Sequence, residues 1–359
     1  MAKQNYSIPS LFGIKHSNRD FTHKDSWGKN QFNNSFPISL ACYLYHKNTD
    51  NVYIILDDTK RIKHKKISSQ EIFGLSPLSD DLFFSFESLY TPYQQYVIDK
   101  LPRIDLVTQS RKSGNCIKCI EIKLTAIPDI STWEKTSEEY GAEIVVRPDT
   151  IVYLACSIAK LYGKDNQKLR TFFITRFKEP RNWYNPSEVL PLLPDMIQVI
   201  DNIVLKNIKF QEPLIMQPVW KTEGKHPKLS NNCLDIFIWS NFSFIELFIS
   251  EYRSTCSFDR ITRQIRTIIW LFKMLYDFSL NGQFNYNHIF DELSYNTLND
   301  KAFAINGNKT HIYMKSDELT KPRITKDEIK NIVLGGGHNL LSPERRFDAI
   351  LFNNPELFD

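Results

Sequence analysis

The chain has 359 residues, 42% hydrophobic, 13% aromatic and 24% charged, a globular composition outside the range of disordered chains. A net charge of +4 is compatible with an anionic partner without specifying one. A membrane span, a signal peptide and a disulfide framework are not expected. The longest apolar run, 236–249, is interrupted by Ser240, Asn241, Ser243 and Glu246, MAKQNYSIPS has no apolar stretch, and the six cysteines are scattered. The expectation is a soluble cytoplasmic protein with reduced thiols.

Residues 6–36 are polar with isolated aromatics, and Ile38, Leu40, Ala41, Leu44 and Tyr45 follow at the spacing of a short helix face. VYIIL at 52–56 is short and β-branched and predicts a buried strand. TKRIKHKK at 59–66 is a basic run, most simply a solvated face. Residues 83–100 read as helical, broken or started at Pro92. RIDLVTQ (103–109) and CIKCIEIKL (116–124) read as two strands joined by the turn formers Ser113, Gly114 and Asn115. Pro148 and Asp149 open an apolar stretch that predicts a buried helix with proline in its first turn.

TFFITRF (171–177) predicts a strand, and the Pro-rich stretch 180–194 a surface loop where a subdomain boundary would fall. CLDIFIW (233–239) predicts another strand. Residues 257–280 give the clearest helix: Ile261, Ile265, Ile268, Ile269, Phe272, Leu275 and Tyr276 recur every three or four positions, with Arg260, Arg263 and Lys273 largely opposite. Gly335–Gly337 lacks the GKS/T ending of a phosphate loop and reads as a turn. Without strict βα alternation, α/β and α+β both remain open.

The chemistry concentrates in the hairpin. On a strand, Glu121 and Lys123 share a face while Ile122 points away. If the hairpin is symmetric about Ser113, Asp105 lies directly opposite Glu121. Opposed residues have Cβ atoms about 4.5–5.5 Å apart, so two carboxylates there repel unless a positive charge sits between them. Mg²⁺ suits such a pair, and Lys123 would then orient a metal-bound water towards a phosphate. The other acid-x-Lys triplets, at 58–60, 223–225 and 328–330, lack an acidic partner strand or a strand altogether. The pattern alone leaves two readings open: a metal-dependent phosphodiesterase site, or an amphipathic surface hairpin with a neutralised patch. Cys116 and Cys119 form a CxxC with no second pair to complete a zinc site, and read as small buried strand residues.

A hairpin bearing Asp105 and then Glu121-x-Lys123 resembles the PD-(D/E)xK nuclease core, with Pro102 three residues before the aspartate instead of beside it. LFGIKHSNRDFTHKDSWGKNQFNNSFPISLACYL (11–44), PVWKTEGKHPKLSN (218–231) and LSPERRFDAIL (341–351) resemble type II restriction endonucleases of the HindVP-like family, along most of the chain. The resemblance implies an α/β fold, a mixed central sheet flanked by helices with additional α+β elements. It implies a catalytic core near 50–180, and a recognition and dimerisation region near 190–359 together with 6–36. The implied activity is Mg²⁺-dependent cleavage of duplex DNA at a short palindrome, GRCGYC by resemblance, by a homodimer that works beside a cognate DNA methyltransferase.

Carried onto these residues, the resemblance makes Asp105, Glu121 and the Ile122 carbonyl metal ligands. Lys123 positions the attacking water, and Glu87 is a candidate further acid on a helix before the hairpin. Base contacts call for Arg, Lys, Asn or Gln; candidates are Asn18, Arg19, Lys29, Asn30, Lys221, Lys225, His226 and Lys228. Arg260, Arg263 and Arg266 suit backbone phosphates equally well. Two alternatives are a structure-specific or repair nuclease on the same core and a non-catalytic DNA-binding protein.

Overall fold

The computed structural model describes residues 11–19, 29–123, 144–163, 165–220, 232–255, 260–297, 302–305 and 324–333. Helix α1 (Lys29–His46) leads into the hairpin β1 (Asn51–Leu56) and β2 (Ile62–Ile67), then the short α2 (Ser69–Phe73). Strands β3 (Leu82–Ser88), β4 (Ile104–Ser110) and β5 (Cys116–Ile122) form a meander, followed by β6 (Ile144–Val146). Helices α3 (Pro148–Tyr162), α4 (Asn166–Ile174) and α5 (Leu193–Lys206) precede the antiparallel pair β7 (Pro213–Trp220) and β8 (Asn232–Ser240). Helices α6 (Asn241–Thr255), α7 (Arg263–Asn281) and α8 (Tyr286–Glu292) come next, then β9 (Phe303–Ile305), β10 (Ile324–Thr325) and α9 (Lys326–Val333).

The central sheet runs β2-β1-β8-β7-β5-β4-β3, with β10 added on β8. It is mixed, because β1–β8 and β5–β7 pair parallel while the other pairs are antiparallel. A mixed sheet with helices on both faces is the α/β arrangement that the resemblance implies. Its strands come from both sides of the Pro-rich stretch 180–194, since β7 and β8 sit between β1 and β5.

Alternation along the strands divides the core in two. Val107, Cys119, Ile215 and Phe237 pack with α3, α5, α6 and α7 on one face. Leu106, Ile120, Ile122, Met216 and Ile238 pack with α1, α2 and α9 on the other. Each fully buried aliphatic side chain contributes about 1.5–3 kcal/mol, so the β4–β5 hairpin is held from both faces. Among the described residues no helix is long and apolar enough to cross a membrane.

Several elements differ from expectation. Residues 83–100 are not helical: LFFSFES pairs with β4 as a strand, and Pro92 opens a 3₁₀ turn over Thr91–Tyr96. TFFITRF is no strand but largely the end of α4, where Leu169 and Phe173 bury one helical face and Phe173 meets Phe272 and Tyr276 of α7 edge-on. The helix expected around Ile38–Tyr45 is longer and contains Pro37, and all of 34–44 is buried. Residues 335–337, 341–351 and 223–225 lie outside the described residues.

Candidate active site

The β4–β5 ladder pairs Leu106 with Ile120, Val107 with Cys119 and Thr108 with Lys118 before a shift at Gln109. Every one of these pairs is symmetric about Ser113, so one further step sets Asp105 opposite Glu121. The end of the hairpin is fastened on all sides. Asp105 Oδ2 accepts the Ile122 amide at 2.7 Å, and Oδ1 accepts from Asn34 Nδ2 of α1 at 3.3 Å. Glu121, almost fully buried, accepts from the Thr150 hydroxyl at 2.8 Å and from the Lys123 ammonium on the same Oε1. Lys123 lies just beyond β5, and its amide continues the ladder by donating to the Met216 carbonyl of β7 at 2.9 Å.

Thr150 reaches Glu121 because Pro148 starts α3 with the backbone already extended at Arg147, which aims the helix's first turn at the end of β5. Arg147 and Asp149 arrive with it. Burial, then the neighbouring Glu121, push the Asp105 carboxyl up to about 7, against Lys123, the Ile122 amide and Arg147. Desolvation and Glu121 also raise Asp149. Burial acts to lower Lys123, but Glu121 and Asp105 outweigh it and its pKa is raised. Three carboxylates, Asp105, Glu121 and Asp149, thus meet the two cations Lys123 and Arg147.

Such a donor set fits a hard divalent cation. Mg²⁺ takes one or two carboxylates and keeps several waters, and Asp105 and Glu121 are two carboxylates on adjacent strands in mutual repulsion. No group of three or more His, Cys, Asp or Glu side chains gathers for a metal among the described residues. Cys119 is buried and Cys116 half-buried in β5, and both are free thiols.

Glu87 is not on a helix. It is the penultimate residue of β3, at φ 49°, between the pairs Phe86–Leu106 and Ser88–Ile104, and so falls level with Asp105. Its carboxylate is exposed and pairs with Arg19 at 3.3 Å. Arg19 also donates to Ser35 at 2.6 Å, stacks 4.4 Å from the Phe86 ring centre and is lowered to about 10 by burial, with Glu87 and Asp105 opposing the shift. The Asn18 amide clamps the backbone of Phe86 from both sides, at 2.9 and 2.8 Å. Arg260 is exposed and Arg263 half-buried. Arg266 is wholly buried over the Trp270 ring with a hydrogen bond to Thr297, so it does not offer a phosphate contact. Lys29 and Asn30 start α1, while Lys221, Lys225, His226 and Lys228 lie outside the described residues.

Asn34, Arg147, Asp149 and Thr150 were absent from the expected site. Only Asp149 had a local signal, as the acid beside the helix-opening proline; the others are brought in by tertiary packing.

The family model described as HindVP restriction endonuclease matches residues 27–358. The chain is 43% identical over 351 residues to the type II restriction enzyme HgiDI of Herpetosiphon aurantiacus, covering 98% of this chain and 97% of that one. It is 42% identical over 350 residues to the probable type II restriction enzyme HindVP of Haemophilus influenzae, covering 98% and 95%. No solved structure matches significantly. The chain belongs to the HindVP restriction endonuclease family.

Proposed function

We propose that this restriction endonuclease makes Mg²⁺-dependent double-strand cuts in DNA at a short palindrome through Asp105, Glu121 and Lys123. The observation that carries the reading is the ladder register that sets Asp105 opposite Glu121 with Lys123 two residues on. Asp105, Glu121 and the Ile122 carbonyl would hold the cation. A Mg²⁺ ion held there would supply Lewis-acid polarisation of the phosphate and activation of a water. Lys123 positions the attacking water and counters charge developing on the phosphorane. Thr150 and the Ile122 amide hold the two carboxylates in place, and Arg147 adds positive charge beside them.

Two such sites related by a two-fold axis would cut both strands, which favours a homodimer. Arg19, beside Asp105 and Glu87, is the DNA-contact candidate nearest the scissile phosphate, and Arg260 and Arg263 suit more distant phosphates. Base reading falls to the remaining candidates in 6–36 and 190–359. By family resemblance the site is GRCGYC, protected in the host by a DNA methyltransferase. Sequencing the ends of fragments cut from unmethylated DNA tests this. Ends at GRCGYC support the whole reading, ends at another palindrome remove only the named site, and ends scattered without sequence preference favour a structure-specific nuclease.

A further inference from the structure

Gln217, in β7, has no exposed surface, and neither its Oε1 nor its Nε2 has a hydrogen-bond partner among the described residues. Burying an amide with its donors and acceptor unused is costly, and such groups in folded proteins call for an explanation. The parallel β5–β7 ladder supplies the place. It pairs Glu121 with Ile215 and Ile122 with Met216, and the Lys123 amide then donates to the Met216 carbonyl. One further step sets Gln217 level with Lys123. In-register residues of parallel strands share a face and alternate along it, so Glu121, Lys123, Ile215 and Gln217 line one face. It is the face of α3, since Ile215 packs in the cluster containing that helix and Thr150 of the same helix bonds Glu121. The register therefore puts Gln217 and Lys123 on the same face of neighbouring strands.

The Lys123 ammonium is held by Glu121 Oε1. A cation bound by Glu121 competes for that oxygen and repels the ammonium, which then needs another acceptor close by. We propose that Gln217 is a positioning residue whose Oε1 takes the Lys123 ammonium when Glu121 engages the metal. The inference rests on the proposed reading of the site. It explains why a polar side chain is kept at an otherwise apolar position opposite Phe237: its bond is made in the loaded state.

The test compares Gln217→Met, which keeps the volume and removes the acceptor, with Gln217→Glu, which keeps the acceptor, beside wild type and Lys123→Met. Gln217→Met is expected to lower kcat about tenfold or more, the fold-change for one hydrogen bond to a charged group, with KM for DNA within about twofold. Its metal-free melting temperature is expected to equal or exceed that of wild type, because no bond is lost in that state. Gln217→Glu is expected to recover most of the turnover. A wild-type kcat in Gln217→Met, a lowered metal-free melting temperature, or no rescue by Gln217→Glu would each overturn the inference. Failure of this inference alone leaves wild type active and Lys123→Met inactive; an inactive wild type, or an active Lys123→Met, sinks the underlying reading as well.

Discussion

Thr150, in the first turn of α3, donates its hydroxyl to Oε1 of Glu121 at 2.8 Å, tying a helix start to the end of the strand that carries the candidate metal ligand. Without that bond the carboxylate is held through Lys123, which the proposed chemistry needs elsewhere. Thr150→Val keeps the shape and removes the donor. A bond to an ionised group contributes about 1.5–3 kcal/mol, so turnover is expected to fall about tenfold or more, with Thr150→Ser restoring it. Single-turnover cleavage of a defined duplex reads this, and an unchanged rate in Thr150→Val would remove Thr150 from the site.

The three hairpin residues carry a larger expectation. Asp105→Ala, Glu121→Ala and Lys123→Ala each remove a group that touches the cation or the reacting water, and cleavage is expected to drop by at least about 10²-fold. Circular dichroism should show each variant folded. Full turnover in all three would contradict the assignment.

Asp105 also sets a pH dependence. Its carboxyl sits at about 7 in the folded chain because of burial and Glu121, against an ordinary aspartate value of about 3.9 when unfolded. Between those values the folded, metal-free protein holds a proton that the unfolded chain has lost. This group therefore makes stability fall as pH rises from about 4 to about 7. Melting the metal-free protein across that window should show a slope that Asp105→Asn flattens, and an identical slope in the variant would contradict the shift. A cation needs the ionised carboxylate, so Mg²⁺ binding below about pH 7 should release protons, which calorimetry in buffers of different ionisation enthalpy measures.

The hairpin depends on its packing as much as on its charges. Ile120 is 1% exposed and lies between α1 and the sheet, adjacent to Glu121. Ile120→Ala is expected to cost about 2–5 kcal/mol, read as a lower urea midpoint with an unchanged slope. A loss under about 1 kcal/mol would mean that the strand is held chiefly from its other face.

How much of this was legible in the sequence follows from the range of each interaction. The Asp105–Glu121 relationship could be read because a short turn at Ser113–Asn115 transmits register, and strand alternation then assigns the faces. The contacts that complete the site could not. Asn34, Arg19 and Thr150 lie 71, 68 and 29 residues from their partners Asp105, Glu87 and Glu121, and no local pattern encodes those meetings. TFFITRF misled because a short apolar run fits either a strand or one face of a helix, and α7 decided the matter by packing on Phe173. Residues 82–88 misled for the opposite reason: β4 supplied a neighbour for LFFSFES that 83–100 taken alone did not reveal.

The measurement that bears most directly on the account is a digest of unmethylated duplex DNA by the purified protein, in Mg²⁺ and in EDTA. The account predicts discrete fragments in Mg²⁺ and intact DNA in EDTA. Intact DNA in both lanes, from protein shown to be folded, would contradict it.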